Sequence, residues 1–341
     1  MTASPTKSKV AVGGAAAAAG AGATAAATKA LLDRRRSRAR TYRLQKGEDV
    51  ADGIRRIAIG RADSAIDHLR KDVEDDFATA VHEARKDLKK LRSVIRLVRE
   101  PLGEEVYRAE NDRYRDAAQL LSGARDAEVK LETLAALEER FDGRLPWPGL
   151  APLLNGLEGE REALSNPASL SDGDDSSVAD AANRIEGGRD AIADWELDGE
   201  GFELIAGGLK RSYGRGRKRF ADTRDDPSAE NVHEWRKRVK DLWYHLRIVQ
   251  DARPDKLKKV RDRAHDLSDL LGDHHDLAVL REDAEGRAGL LRRETLDSLD
   301  ELIEQRQAEL LDDALSPGDE LYAEKPKKFV SRIEGYWTEW K

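Results

Sequence analysis

The chain has 341 residues, enough for one large domain or two of ordinary size, and 37% of them are charged while only 5% are aromatic. That profile argues for a mostly helical protein and against a β-sandwich or a disordered chain. With no cysteine, a disulfide framework, thiolate metal sites and thiol catalysis are excluded. The net charge of −7 disfavours indiscriminate binding of polyanions but leaves room for a confined basic site, because binding responds to the local field.

Residues 10–28 are almost wholly Ala and Gly, lying between Lys7, Lys9 and Lys29, with a basic run from Arg34 to Arg40. Membrane spans and secretory signals are built on Leu, Ile, Val and Phe, so residues 1–40 read as a low-complexity basic arm and no transmembrane segment is expected. From Gly47 the pattern is helix after helix: about 48–72, 77–99 (stopped by Pro101), a long one over 103–141, then 150–164 and 176–195. Asp198-Gly199-Glu200-Gly201 reads as a linker. Beyond it come 202–222, 229–251 (stopped by Pro254), 255–289, 292–314 and 326–340. Residues 209–219 carry six basic side chains and no acid, whereas 172–180 and 297–320 are acid-rich.

The chain also repeats itself. Val81-His82-Glu83-Ala84-Arg85-Lys86-Asp87-Leu88-Lys89-Lys90-Leu91 aligns without a gap on Val232-His233-Glu234-Trp235-Arg236-Lys237-Arg238-Val239-Lys240-Asp241-Leu242. Leu120-Leu121-Ser122-Gly123-Ala124-Arg125-Asp126 matches Leu270-Leu271-Gly272-Asp273-His274-His275-Asp276, and Ile54-Arg55-Arg56 resembles Leu209-Lys210-Arg211. Three matches in one order at nearly constant offset mark a duplicated helical unit. The expected architecture is all-α: two antiparallel helical bundles related by pseudo-twofold symmetry around a central basic groove. The halves are drawn at 41–198 and 199–341.

The repeat separates core from site. Val81, Ala84, Leu88, Leu91, Ile95 and Val98 recur at three- and four-residue steps, as do Val232, Trp235, Val239, Leu242, Leu246 and Val249, and these are the buried seams. His82, Arg85, Lys86, Lys89, Arg92 and Arg96 share another face, roughly 21 Å long. His233, Arg236, Lys237, Lys240 and Arg247 repeat it, with Trp243 in the place of Arg92. Cations at these spacings repel by a few tenths of a kcal/mol per pair, and Glu83 and Asp87 are expected to flank the row without cancelling it. Such a row suits a linear array of phosphate oxygens, with Arg as a bidentate clamp, Lys as a point charge and His gaining charge on contact. A metal-dependent phosphate-processing enzyme built on His274, His275 and Asp276, with His265 about nine residues earlier, is one alternative. A nucleic-acid-binding or scaffolding protein is another, although few aromatics interleave with the basic rows. Asp126 and Asp276 are expected to orient a neighbouring Arg or cap a turn, and His68 and His245, which have no repeat partner, to be structural.

The paired His-x-x-Arg-Lys-x-x-Lys helices, Arg125-Asp126, Leu271-Gly272-Asp273-His274-His275-Asp276 and Tyr42-Arg43-Leu44 together resemble the CHAD family, the conserved histidine α-helical domain, over roughly residues 41–341. The resemblance implies two helical bundles with a basic channel that binds inorganic polyphosphate, without catalysis, cofactor or metal, in the cytoplasm and in some members on polyphosphate granules. It implies contacts from His82, Arg85, Lys86, Lys89, His233, Arg236, Lys237 and Lys240, and secondarily from Arg92, Arg55, Arg56, Lys210, Arg211 and Arg125. The strands and Glu-x-Glu-x-Lys signature of the triphosphatase domain fused to some members are absent from this sequence.

Overall fold

The structure is a computed structural model that describes residues 40–121, 126–165 and 175–341. Among these, twelve α-helices and no strand are found: α1 Val50–Arg70, α2 Phe77–Leu97, α3 Arg99–Leu102, α4 Glu104–Leu120, α5 Asp126–Phe141, α6 Trp147–Ser165, α7 Asp175–Ala191, α8 Glu203–Asp225, α9 Ala229–Val249, α10 Pro254–Gly286, α11 Arg293–Leu321 and α12 Pro326–Trp340. No described helix is long and apolar enough to cross a membrane. The Ala-rich arm expected over 1–40 lies outside the described residues but for Arg40.

Local chemistry sets the boundaries. The Asp49 carboxylate accepts from the Ala51 and Asp52 amides (2.9 and 3.2 Å) and starts α1; Asp76 accepts from Thr79 (3.1 Å) and starts α2. After α2 the chain makes one further turn, α3, and reverses at Gly103, whose φ of 80° favours glycine. The helix expected over 103–141 is described as α4 and α5, with 122–125 between them outside the described residues. The helix expected to end near 314 runs on to Leu321, through Pro317. Gly318 explains the extension: a Cβ there would strike the rings of Phe220 and Trp235, so bare backbone packs against them and tertiary contact outweighs the proline.

Tyr42–Lys341 forms one compact unit. In it α1, α2, α4 and α7 pack together, as do α8, α9, α10 and α12, and α2 packs directly on α9. Every residue of both predicted seams is buried, and the two seams belong to one apolar core that runs through both halves. A second core joins Leu134, Leu137 and Phe141 of α5 and Leu150, Leu153 and Leu157 of α6 to Leu277 and Leu280 of α10 and Leu299, Leu302 and Leu310 of α11. The α5–α6 hairpin of the first half is thus seated on the α10–α11 hairpin of the second.

The α2–α9 junction is pinned by polar bonds. His245 is wholly buried; its Nε2 donates to the Ser93 carbonyl (2.9 Å), leaving Nδ1 to accept from the Ser212 hydroxyl (3.0 Å). Arg96 of α2 pairs with Asp241 of α9 at 2.7 Å. The entering strand of chain adds two ties, the Tyr42 hydroxyl donating to the Lys90 carbonyl (3.2 Å) and the Leu44 amide to that of Ile248 (2.9 Å). His245 therefore has the structural role expected of it. His68 lies at the surface against Asp72 (2.7 Å).

Candidate functional site

With both seams turned into the core, the polar faces of α2 and α9 carry the basic residues, and the charges of the two helices reach each other. Lys89 of α2 is solvent-accessible yet surrounded by protein. Burial, then Arg85 on its own helix, then Arg236 and Lys240 of α9 pull its ammonium down to about 8, and Asp276 opposes them. The effect is reciprocal: burial lowers the Lys240 ammonium, Asp269 opposes, and Arg236, Arg247 and Lys86 add to the lowering. Cations from both copies of the repeat thus gather about Lys89 and Lys240.

The remaining stripe residues hold partners that a ligand can replace. Lys86 is bonded to Glu83 and Lys237 to Glu234, both at 2.6 Å, so the same acid three residues earlier holds the same lysine in each copy. Glu83 does not merely flank the row as the spacing suggested. Asp87 does stand apart, buried against Arg61 (2.8 Å) and Lys90 (2.9 Å). Arg85 approaches Asp126 at 3.9 Å, as expected of an orienting carboxylate. His82 lies 4.0 Å from Glu83. Arg236 has a buried Nε with no hydrogen-bond partner among the described residues. Around Trp243 the second stripe changes character: Lys240 and Arg247 stand over its ring at 4.7 and 5.1 Å, and His265, bonded to Asp269 (2.8 Å), packs beside it.

His233 is half-buried and packs on His275 with ring centroids 4.2 Å apart. Burial and then His233, Arg236, His274 and Lys237 push His275 down to about 4; burial, Lys237 and Arg236 also lower His233. His274 points elsewhere. It is buried beside Arg281, also at about 4, and its carbonyl accepts from Gln307 (3.0 Å). The adjacent imidazoles are therefore separated, as a helix demands, and among the described residues no three His, Asp or Glu side chains converge as a metal would require.

The secondary candidates divide. Arg92 bonds Asn111 (3.3 Å) and is lowered to about 10 by burial, Arg96 and Arg115, which places it toward α4. Arg55 donates twice to the Trp195 carbonyl (3.0 and 2.7 Å) and once to Asp52, and Arg56 is held by Glu48 (2.6 Å) and the Arg43 carbonyl (2.8 Å). These bonds tie both arginines to backbone carbonyls, Arg55 to one distant in sequence and Arg56 to one nearby. Lys210 is exposed on α8; Arg211 donates to the Arg96 carbonyl and pairs with Glu100; Arg125 lies outside the described residues. Sequence reasoning missed His275 as a companion of His233, although the repeat aligns it with Arg125, itself a candidate.

The model of the CHAD domain family matches residues 56–285. The fold is similar to the crystal structure of the CHAD domain from the plant Ricinus communis, with a TM-score of 0.50 and 17% identity over 87% of this chain and 94% of that one. A search of curated proteins gives no match.

Proposed function

Because the chain belongs to the CHAD domain family, we propose that it binds inorganic polyphosphate along a basic groove formed by the polar faces of α2 and α9, and holds the polymer without turning it over. The observation that carries the reading is Lys89, crowded by Arg236 and Lys240 from the other copy of the repeat. Like charges gathered at this cost in repulsion are what a polyanion relieves. The contacts are His82, Arg85, Lys86 and Lys89 from one helix and His233, Arg236, Lys237 and Lys240 from the other. Glu83 and Glu234 release their lysines as phosphate oxygens arrive, since exposed ion pairs of this kind are worth only ~0.2–1 kcal/mol each. No cofactor takes part, and the protein works in the cytoplasm, where it can associate with polyphosphate granules.

Calorimetry with long-chain polyphosphate tests the site. The Lys86→Glu, Lys237→Glu double variant is expected to keep its fold by circular dichroism and lose the heat of binding, whereas unchanged affinity removes the assignment. Wild-type affinity is expected to fall steeply with salt as counterions are released, and orthophosphate release in the presence of divalent metal would overturn the non-catalytic reading.

A further inference from the structure

A second concentration of positive charge lies where the C-terminal end of α2 meets α3, α4, α8 and α9. Arg96, Arg99, Arg211, Arg215 and Arg238 line one cavity there, together with Asp241. The run of bases at 209–219, of which the repeat covers only the start, supplies two of the five. Asp241 serves both Arg96 (2.7 Å) and Arg238 (3.3 Å), Glu104 takes Arg99 (2.8 Å), and Glu100 pairs with Arg211. Glu234 also approaches Arg238 at 3.8 Å, so five guanidiniums face four carboxylates. Arg215 is exposed and Arg96 Nε is buried with no hydrogen-bond partner among the described residues. Burial, followed by Arg215 and Arg99, draws even Arg211 down to about 10, still protonated at neutral pH.

This cluster is duplicated only in part, since Arg96 and Arg211 have basic counterparts in Arg247 and Arg56. At the positions that the repeat makes equivalent to Arg99, Arg215 and Arg238 stand Gln250, Gly60 and Asp87. A cavity of about 20 Å³ has room for little more than a water-sized body, so no polymer can thread it. What fits its mouth is the end of a ligand. A terminal phosphoryl group offers three oxygens and, with a second ionisation near pH 6, a charge of roughly −1.5 to −2, more than an internal phosphate of a chain carries. Forked guanidiniums recognise that geometry bidentately.

We propose that this arginine pocket is a separate site for a terminal phosphoryl group, as found on pyrophosphate, a nucleotide or the end of a polyphosphate chain. It stands on the pocket alone and does not rest on the stripe reading. Calorimetry on the full chain with pyrophosphate, ADP and cyclic trimetaphosphate, which has no terminal phosphoryl group, tests it. Pyrophosphate is expected to bind one to one and trimetaphosphate about tenfold or more weaker. Arg215→Glu, a change at an exposed position, is expected to weaken pyrophosphate by about tenfold or more, the loss of a charge-assisted hydrogen bond. The Lys86→Glu, Lys237→Glu variant is expected to leave pyrophosphate affinity within about twofold, because its substitutions lie outside the pocket. ADP binding as tightly as pyrophosphate identifies the source as any terminal phosphoryl group, and ADP failing while pyrophosphate binds restricts it to phosphate chain ends. No pyrophosphate binding, trimetaphosphate binding equally well, indifference to Arg215→Glu, or loss through the stripe variant would each overturn the pocket. Loss of long-chain polyphosphate alone in the stripe variant leaves it standing.

Discussion

Replacing Lys89 with methionine, which keeps the length of the side chain and removes its charge, is expected to stabilise the protein while weakening its hold on polyphosphate. The ammonium is drawn from 10.5 to about 8, which corresponds to ~3.4 kcal/mol at ~1.36 kcal/mol per tenfold change in proton affinity. That figure is an upper limit, because the side chain is accessible and solvent screens its neighbours; about 1 kcal/mol is the expected gain at neutral pH. The sign follows from proton binding. Between about 8 and 10.5 the unfolded chain holds a proton that the native one has lost, so the penalty is fully present below about 8 and disappears as pH rises toward 10.5. Urea denaturation at pH 7 and pH 10 should therefore show the variant ahead at the lower pH and level with the wild type at the higher. At ~1 M salt, where the screening length is ~3 Å, part of the advantage should vanish even at pH 7. Polyphosphate affinity should fall by about fivefold, the equivalent of ~1 kcal/mol. A variant less stable than the wild type, or one whose advantage ignores both pH and salt, would refute the view that Lys89 is held against repulsion from α9.

Other consequences are open to direct measurement. Gly208→Ala places a Cβ against the Leu97 carbonyl and its neighbouring backbone, forcing α8 away from α2; a loss of about 1–3 kcal/mol is expected in urea denaturation. His245, His274 and His275 are each held near 4, so the native protein keeps them neutral while the unfolded chain takes protons near 6.5. Stability should fall as pH drops from 6.5 toward 4, by up to ~3 kcal/mol for the fully buried His245, and a flat denaturation midpoint across that window would contradict it. Phosphate beside His233 and His275 raises their affinity for protons, so polyphosphate should bind more tightly at pH 6 than at pH 8 with net proton uptake, and His275→Ala should flatten that dependence.

The helical architecture was largely readable, for a physical reason. An amphipathic helix writes its orientation into a 3.6-residue period, and the same six seam positions in each copy of the repeat proved buried without exception. Partners distant along the chain were not readable. Nothing in the period tells that Lys89 meets Arg236 and Lys240, or that His245 binds Ser93 across the junction. The match of Ile54-Arg55-Arg56 to Leu209-Lys210-Arg211 has a structural side that the sequence did not show. Arg56 and Arg211 each donate to a backbone carbonyl, of Arg43 and of Arg96, so the repeat retained a brace. The bonds of Glu83 and Glu234 to their lysines were not readable, because an acid three residues before a lysine can bond it or face away, and only side-chain geometry decides.

The seating of α5 and α6 on α10 and α11 shapes how the protein must be made. Leu134, Leu137, Phe141, Leu150, Leu153 and Leu157 leave the ribosome long before their partners Leu277, Leu280, Leu299, Leu302 and Leu310. At ~5–20 residues per second the roughly 150 residues in between take on the order of ten to thirty seconds to synthesise. Over that interval the nascent hairpin displays an uncovered leucine face, the kind of surface that chaperones recognise. The first half cannot finish folding as an independent unit, and its completion waits for nearly the whole chain.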